Sequence, residues 1–118
     1  MVIAGFGCRA EATQESFRSA LSATGMRPEA LAVPADRVAA IAPFAKAEGL
    51  AVHAIAADLL QTIDTLTHSA ISMAARGVGS VAEAVALVAA GPGARIVVAR
   101  VISSDRMATC AIAQGPEA

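Results

Sequence analysis

The chain has 118 residues and a mass of 11.8 kDa, room for one domain over 1–118 and one compact core. Hydrophobic types reach 56%, yet 31 residues are alanine and aromatics are only 3% with no Trp or Tyr, so no stacking platform for single-stranded nucleic acid is available. Nine basic against ten acidic residues give a formal charge of −1, so no basic footprint marks DNA, RNA or an anionic membrane surface as a partner.

Residues 2–6 form a short apolar, β-branched run ended by Gly7 and read as a buried strand. Thr13 is placed to cap a helix running through Thr24, with Phe17, Ala20 and Leu21 on one face and Gly25 as its stop. Residues 30–33 make a second short strand halted by Pro34. Asp36 is the expected cap of a helix reaching Glu48 and stopped by Gly49. Pro43 inside it must kink the helix or start a fresh one, because its ring excludes a backbone hydrogen bond.

A third strand is expected over 50–56, with His53 mid-strand as a core or half-buried histidine, and residues 57–60 form a helical turn. Residues 61–69 are polar and read as loop, which leaves His68 exposed and suited to ligand contact. Residues 80–90 have the clearest helical spacing, with Val81, Ala84, Val85 and Val88 facing the sheet. Residues 95–102 and 107–113 are strand-like and separated by Ser103-Ser104-Asp105-Arg106, a terminal hairpin. The order predicts an α/β, three-layer sandwich: a mixed sheet of about 4–5 strands with helices on both faces and a C-terminal β-hairpin.

The longest uncharged runs span about eleven residues, against about 20 needed to cross a bilayer, and no basic segment precedes a long apolar stretch. Cys8 and Cys110 lack CxxC spacing, so neither a zinc site nor a disulfide framework is expected, and a reducing cytoplasm is the expected compartment. Two histidines fifteen positions apart, without an acid in register, make no metal site. No cofactor is called for.

Two segments carry chemistry. Gly5-Phe6-Gly7-Cys8-Arg9-Ala10 has the form G-x-G-x-x-G/A of a dinucleotide turn, although helical periodicity begins only near Thr13, Glu29 has suitable spacing but precedes the second strand, and Asp36 lies further on. Glycines that end a buried strand tightly explain it equally well. Arg9 at a strand's carboxyl end faces the crevice where α/β sheets bind ligands, and its fork suits a carboxylate or phosphate. Cys8 is a thiolate if Arg9 lowers its pKa, or simply a small buried apolar group. The second segment is Gly77-Val78-Gly79-Ser80-Val81-Ala82-Glu83. Ser80 and Glu83 fit an S-x-x-E capping box, and the same geometry offers amides to an anion at a helix N-terminus.

The start of the chain at Gly5-Phe6-Gly7-Cys8-Arg9, the helix beginning Gly77-Val78-Gly79-Ser80-Val81-Ala82-Glu83-Ala84-Val85-Ala86-Leu87 and the end at Ala108-Thr109-Cys110-Ala111-Ile112-Ala113 together resemble the CobE family. That family is related to the C-terminal domain of CbiG, and both belong to cobalamin (vitamin B12) biosynthesis. The resemblance spans essentially the whole chain; where relatives place a lysine, this sequence has Ala35-Asp36-Arg37. It implies a cytoplasmic α/β domain that binds or handles a precorrin or corrinoid intermediate, with other corrin-pathway enzymes as partners. Gly7, Cys8, Arg9, Gly79, Ser80, Val81 and Glu83 are the expected ligand-binding residues. Two alternatives stay open: opening of a ring-A lactone, as associated with CbiG proteins, and a small nucleotide-binding domain using residues 5–10.

Overall fold

Alternation along the first strand decides how the layers assemble. In a computed structural model, which describes residues 1–60, 63, 65 and 80–116, β1 (Val2–Cys8) presents Ala4 and Phe6 to one side and Ile3 to the other. Ala4 and Phe6 join Phe17 and Ala20 of α1 (Gln14–Thr24) and Ile41 and Phe44 of α2 (Val38–Glu48). Ile3 joins Leu60 of α3 (Ala57–Leu60) and Ala84 and Val85 of α4 (Val81–Ala90). The result is the expected α/β sandwich with helices on both faces of one sheet.

That sheet has five strands: β1, β2 (Ala30–Pro34), β3 (Val52–Ile55), β4 (Arg95–Ile102) and β5 (Ala108–Gln114), in the order β3-β2-β1-β5-β4. β1, β2 and β3 run parallel, while β5 lies antiparallel to β1 over its full length, from Val2↔Gln114 to Cys8↔Ala108. β4 and β5 form the antiparallel terminal hairpin. All three phenylalanines meet in one cluster, with Phe6 edge-on to Phe17 and Phe44 at centroid distances of 5.6 and 6.1 Å. With so many alanines elsewhere, these rings supply much of the apolar volume on that side.

Local signals hold well in α1, which starts after an extended Thr13 and stops at Gly25 in the left-handed region at φ 69°. α4 likewise follows Ser80, with Ala84 and Val85 buried and Val81 and Val88 partly buried against the sheet. Several expectations change. β1 continues through Gly7 to Cys8, because β5 pairs with it that far. Asp36 does not cap α2: the chain leaves β2 at Pro34, whose fixed φ of −57° leads straight into a 3-10 turn (Ala35–Arg37), so Asp36 lies inside a turn and Arg37 precedes the helix. α2 then runs as one helix through Pro43. His53 is exposed, because β3 is an edge strand whose only buried side chain is Ile55.

Candidate functional site

The carboxyl ends of the parallel strands gather three segments at one edge of the sheet. The first is the end of β1. Arg9 follows Cys8 and is exposed, and its backbone N–H donates to the Met107 carbonyl at 2.9 Å. Cys8 is half-buried and packs against the phenylalanine cluster, which fits a small apolar group better than a reactive thiolate. Neither cysteine is in a disulfide, and burial pushes the Cys110 thiol far up from its ordinary value.

The second segment is the 3-10 turn after β2. Its Arg37 Nε donates to the Cys8 carbonyl at 3.3 Å, which holds a second guanidinium beside the strand end that carries Arg9. No local pattern marks this contact, since 29 positions separate the two residues. The usable signal was topological: Arg37 stands three residues past the end of a strand parallel to β1.

The third segment is the start of α4. Ser80 is fully buried and its Oγ accepts the Glu83 N–H at 3.3 Å, the serine half of the expected capping box. Glu83 is also fully buried, and its Oε2 accepts the N–H of Arg100 in β4 at 2.9 Å, a contact beyond its own helix start. Gly7 joins this segment to the first. A Cβ built on Gly7 would lie 3.3 Å from Val81 Cβ and 2.9 Å from Thr109 Oγ1, so the strand end and the helix start touch through the missing side chain. Of the expected ligand-binding residues, Gly7, Cys8, Arg9, Ser80, Val81 and Glu83 are thus placed on these two neighbouring segments. Gly79 lies outside the described residues, as do Gly77, Val78 and His68.

Gly5 has a different task. A Cβ there would lie 2.1 Å from the Ala82 carbonyl oxygen and 2.7 Å from Ala86 N, so Gly5 is the point where α4 presses its backbone onto β1. Gly5 and Gly7 are both strand residues, and α1 begins only at Gln14. A dinucleotide turn needs its glycines in the loop at the helix start, so the resemblance of residues 5–10 to that fingerprint is formal only.

The hairpin turn over residues 103–107 closes the same edge, since Ala108 pairs with Cys8. Asp105 organises it. Its carboxylate accepts from the hydroxyls of Ser103 and Ser16, each at 2.6 Å, and from the Met107 N–H at 3.1 Å. The Ser103 bond first, then those from Ser16 and Met107, hold the carboxyl below the usual range despite its exposure. Ser104 N–H donates to Ser19 Oγ at 2.9 Å, so the turn is tied twice to the first turns of α1. Arg106 takes a left-handed φ of 62° within it.

The edge therefore offers guanidinium groups beside a buried, polar helix start, a set suited to holding carboxylates next to small, closely approachable surfaces. Among the described residues no group of three His, Cys, Asp or Glu side chains could hold a metal ion, and no helix is long and apolar enough to cross a membrane. A cavity of about 230 Å³ lies at the opposite edge of the sheet, between Leu21, Met26, Pro28, Leu50 and the side chains of Arg27 and Glu48.

Comparison with known proteins gives a consistent answer. Residues 2–113 match the family model described as cobalamin synthesis G C-terminus. The fold superposes on the crystal structure of CobE, a protein from the cobalamin (vitamin B12) biosynthetic pathway, with a TM-score of 0.83 and 31% identity, covering 96% of this chain and 89% of that one. It also superposes on the cobalamin biosynthesis protein chiG from Agrobacterium tumefaciens, with a TM-score of 0.74 and 30% identity over 99% of this chain and 100% of that one. No curated protein matches it. The chain belongs to the cobalamin synthesis G C-terminus family, the CobE and CbiG C-terminal type of cobalamin-pathway protein.

Proposed function

We propose that this protein binds a precorrin- or corrin-type tetrapyrrole intermediate in the cytoplasm, holding it for other enzymes of the corrin pathway. The observation that carries this reading is the contact of Gly7 with Val81, which brings the Gly7-Cys8-Arg9 strand end and the Ser80-Val81 helix start onto one edge. Corrin precursors carry several acetate and propionate groups around a broad apolar ring. Arg9 supplies a fork for a carboxylate, Arg37 stands beside it on Cys8, and the partly buried Val81 offers the ring an aliphatic contact at the helix start. Glu83 ties the helix start to β4 through the Arg100 N–H. Its side chain is fully buried, so it supports the site rather than meeting the ring.

The test is gel filtration of the purified protein with a carboxylate-bearing corrin, followed by visible absorbance. Co-elution of the coloured ring with an unchanged chromophore supports a binding role. Release of acetaldehyde from a ring-A lactone substrate would make the protein a hydrolase and displace that role. Absence of ring binding, with or without binding of NAD, would overturn the proposal.

A further inference from the structure

β4 does not run as a regular edge strand. Its register against β5 shifts between Ile96 and Val98 and again between Val98 and Val101. From Val98 to Val101 the strand takes three steps while β5 takes two, from Ile112 to Cys110, so β4 carries an extra residue there. Val98 and Val101 both pack on the α1–α2 side, which the alternation of an unbroken strand would forbid. The extra residue turns Arg100 towards α4, and the Arg100 N–H, turned out of the ladder, is accepted by Glu83 Oε2.

Two further facts concern the Arg100 side chain. Its Nε is buried and makes no hydrogen bond, the one buried side-chain nitrogen or oxygen without a partner among the described residues. A buried donor left unpaired is costly, and such a group in a native structure calls for an explanation. It also lies on the bulge that Glu83 holds, and Glu83 is on the first turn of α4, the turn that begins at Ser80 and Val81. Bulges at sheet edges are a common means of re-aiming a side chain next to a binding site.

We propose that the Arg100 guanidinium is a carboxylate-binding group of the ring site, flanking the α4 start from the β4 side, with Glu83 as the residue that positions it. This rests on the ring-binding reading above. The group recognised is a peripheral acetate or propionate of the tetrapyrrole, which accepts from Nε–H and a terminal N–H together in the side-on fork geometry of arginine. Glu83 keeps the bulge in shape through the backbone and leaves Nε free for the ligand.

The experiment uses the full chain and two probes, a corrin heptacarboxylic acid and its heptamethyl ester, with affinities read by absorbance titration. The parent should bind the acid more tightly than the ester. Arg100→Gln should weaken the acid about 10- to 100-fold, the loss of one charge-assisted fork, and leave the ester within about two-fold. Arg100→Lys should fall between, since it keeps the charge and loses the fork. Glu83→Gln retains an acceptor for the Arg100 N–H and should keep the acid preference, whereas Glu83→Met should lose it while still binding ester. If Arg100→Gln binds both probes as the parent does, or weakens both equally, the inference is overturned while ring binding stands. A parent that binds neither probe overturns the ring-binding proposal and this inference with it.

Discussion

Replacing Gly5 by Ala should be the most damaging single-methyl change in β1. The added carbon would sit 2.1 Å from the Ala82 carbonyl oxygen, where ordinary contact begins at 3.4 Å, and 2.7 Å from both Ala86 N and Ala86 Cβ. Its neighbours are helix backbone, not the tip of a flexible side chain, so α4 must back away by about 1.3 Å. That movement opens the cluster of Ile3, Ala84 and Val85. Overpacking of this kind costs about 3 kcal/mol, the upper end of its usual range. With an unfolding entropy of about 2.1 cal/mol/K per residue, the 118-residue chain loses about 4 °C per kcal/mol, so Tm should fall by about 12 °C. Urea unfolding should show a lower midpoint at unchanged slope. Gly7→Ala is the comparison: it meets Thr109 Oγ1 at 2.9 Å and Val81 Cβ at 3.3 Å, side-chain atoms rather than helix backbone, and should cost about 1 kcal/mol, well below Gly5→Ala. A Gly5→Ala protein within 1 kcal/mol of the parent, or less perturbed than Gly7→Ala, would refute the claim that this glycine exists to seat α4.

Other outcomes separate structure from binding. Ser80→Ala should lose about 1 kcal/mol of stability by urea titration, through the lost acceptor for the Glu83 N–H. Arg9→Ala, at an exposed side chain, should unfold like the parent yet bind a carboxylate corrin about 10- to 100-fold more weakly; equal affinity would remove Arg9 from the site. The carboxyl of Asp105 is held below its ordinary value by the hydroxyls of Ser103 and Ser16 and the Met107 N–H, so its contribution is fully present above the pKa of an unfolded aspartate and is lost as pH falls through the folded-state pKa. The gap in urea midpoint between parent and Asp105→Asn should therefore be constant from pH 7 to about pH 5 and close under acid conditions. Cys110 is fully buried with a raised pKa, so a thiol reagent should modify it only as fast as the protein unfolds, and Cys8 well before it.

What the sequence made readable was whatever local chemistry decides. Thr13 and Gly25 bracket α1, Ser80 and Gly91 bracket α4, and alternating apolar residues mark the hairpin strands, because caps and periodicity act within a few residues. The errors fall where distant pairing wins. β1 passes its glycine because β5, about a hundred positions later, pairs with it as far as Cys8. His53 is exposed because strand order, not strand composition, makes β3 an edge. At the candidate site the two glycine-containing segments were legible as motifs, and Arg9 as a cation at a strand end. Arg37 on the Cys8 carbonyl and Arg100 on its bulge were not, since one depends on parallel pairing and the other on a register shift between β4 and β5.

The strand that completes the sheet is the last to be made. β5 lies between β1 and β4, so until it arrives β1, made about a hundred residues earlier, has a whole edge of backbone donors and acceptors without sheet partners. At a synthesis rate of about 5–20 residues per second, that edge waits roughly 5–20 s on each nascent chain. An open strand edge is a template for pairing with any neighbouring chain. A ribosome stalled late in this message would therefore release or display a three-stranded parallel fragment with a sticky seam. The seam invites chaperone capture or pairing between chains on the same polysome, and the final insertion of β5 is the step that removes it.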